Sequence, residues 1–391
     1  MNNIMPPKRL SILFVFFQVA EKANGGVNSM LEVILRLKGY RITALTQTET
    51  IVNERLRGNG IEVIVAPHQL TGSGIWKKIQ FAHWLRKILK NQEFDIVHIN
   101  DIRAYLHSFL AFISKRTPFI FNLRDTYPAN KRYGWHWRSI ALSHGVLCLS
   151  QEMQQSLISR LPLRSSQRHE SFVSWIYSIV DFNQFYPPKD EKEVKSLRSI
   201  LKLPNDKILI AFVAKFDPKK QQLEYISNVL PKLPDNYCTV FLGDYKPESS
   251  PYAQKCQQAL SHVNDTKKYH IKGFVENVSD YYRACDIVVI PTEREGLARC
   301  MIEGLACGLP AVSFDVCSAK EILSNPQLGV VLKQGDYPSL TTAITEVLDL
   351  KSTAESRLQR FRHAQTLFDH QVVIEQYDQF YRSNIKPPKG E

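Results

Sequence analysis

Glu295 and Glu303 stand eight positions apart in the stretch Pro291-Thr292-Glu293-Arg294-Glu295-Gly296-Leu297-Ala298-Arg299-Cys300-Met301-Ile302-Glu303-Gly304-Leu305-Ala306-Cys307-Gly308-Leu309-Pro310. An apolar run, Ile287-Val288-Val289-Ile290, comes just before it, and Gly308 and Pro310 stop the helix that follows. Glu295 therefore belongs in the loop at the carboxyl end of a buried strand, which is where open α/β sheets bind ligands. The N–H groups of Gly296, Leu297, Ala298 and Arg299 at the helix start suit a phosphate or diphosphate. Glu303 lies inside the helix on a similar face and can accept two hydroxyls of a sugar. A ligand that joins a diphosphate to a diol, as a nucleotide-sugar does, needs both parts. The plain alternative is a structural helix carrying two surface glutamates.

Other groups that can do chemistry also follow apolar runs. Ala214-Lys215-Phe216-Asp217-Pro218-Lys219-Lys220-Gln221 comes after Ile208–Val213, and its two cations, Lys215 and Lys220, can neutralise a phosphate as a bond to it breaks. Solvated lysines on a turn are the competing account. Gly25 and Gly26 follow the run Ile12–Phe17 and open a helix, so the backbone there can approach a ligand closely. The pattern is not Gly-x-Gly-x-x-Gly, and no acidic residue is placed for a ribose, which argues against a nicotinamide site. Arg124, after Phe119–Asn122, can bind phosphate or an anionic sugar or acceptor, unless it only pairs with Asp125. His98 alternates into its strand and reads as a core histidine ahead of a catalyst. Ser150 reads as an N-cap.

Strand and helix signals alternate along the chain, which argues for parallel sheets covered on both faces. Strands are expected at Ile12–Phe17, Arg41–Leu45, Glu62–Ala66, Asp95–Ile99, Phe119–Asn122 and Val146–Leu149. A loop at Asn24-Gly25-Gly26 and helices at Val27–Lys38, Ile102–Ile113 and Gln151–Ser159 fall between or after them. Pro187-Pro188 and the charged run Lys189–Lys195 suggest a linker at about 183–204. A second series runs through Ile208–Val213, Thr239–Leu242, Tyr269–Ile271, Ile287–Ile290, Ala311–Phe314 and Val330–Leu332, with two helices after about residue 352.

Charge and cysteine content narrow the partners. Residues 1–185 hold 23 Lys+Arg against 12 Asp+Glu and the remainder 27 against 26, so nearly all of the net +12 lies in the first half. Such a half implies an anionic partner, a membrane surface or a lipid-phosphate acceptor; no nucleic-acid motif accompanies it. Ile75–Leu89 is a basic amphipathic helix with Trp76, Phe81 and Trp84, a pattern that either lies on an anionic membrane or buries its apolar face in the domain. Arg132 to Arg138 is a second aromatic–basic cluster. The seven cysteines, Cys148, Cys238, Cys256, Cys285, Cys300, Cys307 and Cys317, include no Cys-x2-Cys spacing, so neither a zinc site nor a disulfide framework follows, and a reducing cytosol fits best. Leu10–Ala20 is too short to span a membrane and reads as a first strand rather than a signal peptide.

Taken in chain order, these marks resemble the retaining glycosyltransferases of family 4, whose signature is Glu-x7-Glu. The resemblance is strongest over residues 205–335. It implies an α/β GT-B fold, two Rossmann-like doubly wound parallel-sheet domains facing a cleft. Residues 1–185 would form an acceptor domain and residues 186–366 a nucleotide-sugar donor domain. Residues 367–391 would form a helix crossing back to the first domain, anchored by Phe368, Val372, Tyr377 and Tyr381. It also implies roles. Glu303 would hold the ribose hydroxyls and Glu295 the transferred sugar. Lys215, in the family's Arg position, and Lys220 would stabilise the departing diphosphate. Gly25, Gly26 and the Gly296–Arg299 backbone would add N–H groups, and the Gly273-Phe274-Val275 loop would read the base at Val275.

Departures stand at Ala214 and Gln221, where the family has Gly, at Asn100 and Arg124, where it has His, and at Ala298, where it has Gly or Pro. The Arg124 change puts the acceptor in doubt, not the reaction class. By resemblance the reaction is metal-independent, uses no cofactor beyond the donor, and retains configuration by front-side attack on the anomeric carbon. The acceptor would be a glycan or lipid-linked glycan in bacterial surface polysaccharide or lipopolysaccharide assembly. The setting would be the cytoplasm, at the inner face of the membrane. A nucleotide-sugar epimerase and a catalytically silent sugar-nucleotide binder are the alternatives.

Overall fold

The computed structural model describes residues 9–17, 25–72, 74–112, 117–126, 139–160, 172–263, 265–350 and 353–385. The chain divides into two compact units, residues 1–179 with 370–391, and residues 180–369. Each is built on one parallel sheet.

In the first unit the strands are β1 (Leu10–Phe16), β2 (Tyr40–Thr46), β3 (Glu62–Val65), β4 (Ile96–Ile99), β5 (Phe119–Asn122), β6 (Gly145–Cys148) and β7 (Val173–Trp175). They lie in the order β3-β2-β1-β4-β5-β6-β7, all parallel. Strand β1 is apolar from Ile12 onward because both of its faces are covered. Ile12, Phe14 and Phe16 pack with the helices Gly25–Arg36, Ile51–Gly58 and His370–Asn384. Phe17, just past the strand, turns the other way and meets Phe81 and His107 on the helices Ile75–Asn91 and Ile102–Phe112. Short β7 carries no period-2 run long enough to be seen in the sequence. Gly25 and Gly26 form the first turn of their helix rather than the loop expected before it.

The last helix, His370–Asn384, belongs to this first unit. Tyr377 and Tyr381 are buried there as expected, and the Tyr381 hydroxyl meets His98 Nδ1 at 2.9 Å. The other two expected anchors are not in this core. Phe368 is buried in the second unit, where its carbonyl accepts from the Val180 N–H at 3.0 Å, and Val372 is exposed. Val373 takes the buried position, one residue further along the helix.

The second unit holds β8 (Ile208–Val213), β9 (Tyr237–Leu242), β10 (Tyr269–Gly273), β11 (Ile287–Ile290), β12 (Ala311–Phe314) and β13 (Gly329–Leu332), in the order β10-β9-β8-β11-β12-β13 and all parallel. The expected linker is not a free linker. Glu191–Ile200 is a helix that Asp190 caps by accepting from the Glu193 N–H at 2.8 Å, while the Glu193 carboxylate accepts from the Lys189 N–H at 2.8 Å. The Asp190-x-x-Glu193 spacing was the signal, hidden by the charge run around it. Arg198 ties this helix to the sheet through Asp286 at 2.7 Å and the Ala284 carbonyl at 2.9 Å.

The helix Arg299–Ala306 follows β11 and must lie close on the sheet. Gly304 permits this, since a Cβ there would come 2.7 Å from Val288 Cγ1. Gly308 ends the turn at φ +80°, and buried Arg360 donates to its carbonyl at 3.1 Å and to that of Gln327 at 2.7 Å. All seven cysteines are free thiols.

His98 sits fully inside the first core, and burial, helped by the Arg124 charge, lowers its pKa from 6.5 to about 3. Between those two values the unfolded chain binds a proton there that the folded chain does not, so stability rises with pH across that window, by up to about 1.4 kcal/mol per pH unit. In denaturant titrations from pH 4 to 6.5 the slope of stability against pH should be shallower by up to one proton in His98→Phe than in the parent. Parallel curves would place the acid sensitivity elsewhere.

Candidate functional site

Strands β8 and β11 are neighbours at the point where the strand order of the second sheet reverses, and the loops leaving their carboxyl ends meet. After β8, Asp217 accepts from the Lys219 N–H at 3.2 Å and so caps a single 3-10 turn, Pro218–Lys220. Gln221 closes it at φ +64°, a left-handed conformation that favours Gly. Its side chain offsets the strain, accepting from the Tyr337 hydroxyl at 2.6 Å and donating to the Pro218 carbonyl at 2.9 Å. The Lys219 carbonyl then accepts twice from the loop after β11, from Thr292 Oγ1 at 2.8 Å and from the Glu293 N–H at 2.7 Å. This lacing sets Lys220 beside Glu295, and its ammonium donates to Glu295 Oε1. Both side chains are largely buried. Lys215 is not part of that pair: it is exposed and pairs with Asp217 at 3.0 Å. Burial pushes the Asp217 carboxyl up, but Lys215 and the turn N–H together hold it below its ordinary range.

The helix carrying Glu303 begins at Arg299, not at Gly296. Gly296, Leu297 and Ala298 form the loop before it, and the Leu297 and Ala298 side chains are buried, so only their backbone can serve a ligand. Ala298 at the N-cap provides no side-chain acceptor for the first turn. Glu303 is 9% exposed. Its Oε1 accepts from Arg299 Nε at 3.0 Å and Nη2 at 2.8 Å, and its Oε2 faces the Tyr282 hydroxyl at 3.5 Å. Burial first, and the Glu303 charge second, keep that hydroxyl protonated well above the ordinary tyrosine range. Burial also raises the Cys300 thiol to about 11, against the pull of Lys220, so it stays a thiol.

Sequence reasoning named Arg299 only for its backbone. The signal for its side chain was the four-residue spacing to Glu303. Val275 is half-buried in the loop after β10, two strands from β8. Among the described residues no group of three or more His, Cys, Asp or Glu side chains is placed to hold a metal ion.

In the first unit the order reverses between β1 and β4. Asp101, after β4, accepts from the Phe17 N–H at 2.9 Å and the Ala104 N–H at 2.8 Å, with burial raising its pKa against those bonds. Arg124, two residues past β5, donates to Asn100 Oδ1 at 3.3 Å. Gly25 is exposed and Gly26 half-buried. Ser150 accepts from the Met153 N–H at 3.2 Å, which is a capping bond.

The helix Ile75–Asn91 buries Phe81 and Leu85, half-buries Trp84, and exposes Ile75, Trp76 and Ile79. Arg86 is structural, donating to the Leu110 carbonyl at 2.7 Å and the Ala111 carbonyl at 3.3 Å. The cluster Arg132 to Arg138 lies outside the described residues. Among those residues no helix is long and apolar enough to cross a membrane.

These two sheets, each with its loops gathered at a switch point, are the architecture of GT-B glycosyltransferases. Residues 24–169 match the family model described as Glycosyltransferase Family 4, and residues 193–364 match the one described as Glycosyl transferases group 1. Together the two matches take in most of the chain, which belongs to these glycosyltransferases.

Among curated relatives, a D-inositol 3-phosphate glycosyltransferase of Xylanimonas cellulosilytica is 30% identical over 40% of this chain and 38% of its own length. The chain thus spans under half the length of that relative. The UDP-Gal:alpha-D-GlcNAc-diphosphoundecaprenol alpha-1,3-galactosyltransferase of Escherichia coli is 21% identical over 68% of this chain and 70% of its own. Among solved structures, a Rickettsia africae glycosyltransferase superposes with a TM-score of 0.83 at 18% identity, over 97% of this chain and 100% of its own. HepE of Anabaena, in complex with UDP, gives 0.80 at 18% identity, over 96% and 100%.

Thr292→Val removes one of the two bonds to the Lys219 carbonyl without changing shape. It should cost about 1 kcal/mol in denaturant unfolding and speed hydrogen exchange at the Glu293 amide. An unchanged amide would mean that the two loops hold each other by other contacts.

Proposed function

We propose that the chain is a retaining glycosyltransferase that moves a sugar from a nucleotide-diphosphate sugar to a glycan or lipid-linked glycan, in bacterial surface polysaccharide or lipopolysaccharide assembly. The observation that carries this reading is the meeting of Lys220 and Glu295 from two strands at the switch point of the second sheet, with Glu303 on the helix just beyond. The names of the relatives support the setting, among them a capsular polysaccharide glycosyltransferase of Staphylococcus aureus and a lipopolysaccharide core mannosyltransferase of Rhizobium meliloti. HepE, with its bound UDP, supports a nucleotide donor.

In this reading Glu303 accepts the ribose hydroxyls, and the loop at Val275 lies by the base. Lys215 and Lys220 take up negative charge on the diphosphate as the anomeric carbon–oxygen bond breaks, with N–H groups at Gly296–Arg299 adding to this. Glu295 orients the transferred sugar. The acceptor oxygen bonds to the anomeric carbon on the face the phosphate leaves, its proton passes to a phosphate oxygen, and the nucleoside diphosphate departs. Side-chain cations do the work a metal ion would otherwise do, so the reaction is metal-independent. Arg124 binds an anionic group of the acceptor. The basic first half, with Ile75, Trp76 and Ile79 exposed beside Lys77, holds the protein at the inner face of an anionic membrane.

The test is calorimetric binding of UDP-, GDP-, ADP- and dTDP-sugars, followed by turnover with and without EDTA. One donor should bind, Glu303→Ala should abolish that binding, and Lys220→Met should lower turnover by roughly 100-fold or more while the protein stays folded. Nuclear magnetic resonance of the product should show the donor's anomeric configuration kept. Failure of every donor to bind a folded protein would sink the reading, and turnover without an acceptor would favour an epimerase.

For the membrane contact, the protein should float with phosphatidylglycerol vesicles and not with phosphatidylcholine alone, and Trp76→Ser with Ile79→Ser should weaken flotation about tenfold or more. Equal flotation of the parent with both lipids, or with neither, would refute it.

A further inference from the structure

Both carboxylates at the carboxyl edge of the second sheet are met by cations. Lys220 reaches Glu295 from a different loop, whereas Arg299 reaches Glu303 from the same helix, one turn earlier. A carboxylate has about four positions at which it can accept a hydrogen bond. Arg299 aims Nε and Nη2 at the same oxygen, Oε1, at 3.0 and 2.8 Å, which fills it. Only Oε2 keeps capacity, and the Tyr282 hydroxyl already faces it at 3.5 Å. A ribose presents two neighbouring hydroxyl donors, and an accepting carboxylate needs both oxygens to meet them. With Arg299 in place, Glu303 cannot offer Oε1.

Arg299 is also the first residue of its helix, at the end whose dipole favours anions, and that end has no side-chain cap. A guanidinium fits phosphate as well as it fits carboxylate, and it stays charged in either place. Resting on the donor-site reading above, we propose that Arg299 is a specificity-determining residue that couples the two ends of a nucleoside diphosphate. In the empty site it holds Glu303. When a diphosphate reaches the helix start, the guanidinium moves onto it, and Oε1 is released to the ribose. A nucleoside without phosphates has to displace Arg299 and gives it no anion in return. The site therefore discriminates against nucleosides by more than the phosphate contacts it makes.

The test uses Arg299→Met, which keeps an unbranched apolar stem, with thermal unfolding to confirm the fold. Binding of UDP, GDP, ADP and dTDP is measured by calorimetry, and of the four matching nucleosides by ligand-observed magnetic resonance. The two kinds of ligand should shift in opposite directions. The diphosphate should bind about tenfold or more weakly, and the matching nucleoside about threefold or more tightly, because the competitor for Glu303 is gone. Arg299→Lys, which keeps the charge but not the fork, should retain most of the diphosphate affinity. A purely structural role would weaken both ligands or neither, and that result overturns the inference while leaving the donor site intact. If the parent binds none of the four diphosphates, the donor reading fails and this inference fails with it.

Discussion

A single carbonyl oxygen, that of Lys219, joins the two loops on which the chemistry of the second unit would depend. It accepts from Thr292 and from Glu293, and so holds the end of β8 against the end of β11. Parallel strands make this join necessary. Their connections are long, so residues meant to act together arrive from distant parts of the chain, here Lys220 and Glu295, and something local must fix their spacing. The ion pair alone is a poor fastener, because partly buried charges give up hydration to meet. Uncharged hydrogen bonds nearby set the geometry, and the charges then find each other in place.

The same division of labour appears around the helix that carries Glu303. Its position comes from the absence of a side chain at Gly304 and the left-handed turn at Gly308. Arg360, wholly buried, secures the carbonyls beyond its end, and burial lowers that guanidinium's pKa to about 10. At the amino edge of the sheet, Asp286 gathers Arg198 and the Leu209 N–H. Structural cations thus sit where carbonyls and one carboxylate would otherwise be buried without compensation, and Lys215, Lys220 and Arg299 stand apart at the carboxyl edge.

Much of this was legible in the chain itself. The strands Phe119–Asn122, Ile208–Val213, Ile287–Ile290 and Ala311–Phe314 fall where their apolar runs predicted, because strands buried on both faces are apolar along nearly their whole length. What stayed hidden was of two kinds. Short or charged elements, β7 and the helix Glu191–Ile200, carry too weak a periodic signal, and the capping pair at Asp190 and Glu193 lay inside a run that looked like a linker. Side-chain partnerships were hidden as well. Nothing in the sequence says that Lys215 turns to Asp217 while Lys220 turns to Glu295, or that Val373 rather than Val372 faces the core. Those choices depend on helix phase and turn geometry, and both are sensitive to a shift of one residue.

The first unit is written in two instalments. Its sheet and early helices occupy residues up to 179, but Tyr377 and Tyr381, which complete the packing around His98 and Phe14, come only after the whole of the second unit. During synthesis from the amino end, the earlier-made sheet must wait with one face of its core only partly covered. The second unit, contiguous in the chain, has every strand in hand before that last helix emerges. The half that begins first is therefore the half that finishes last.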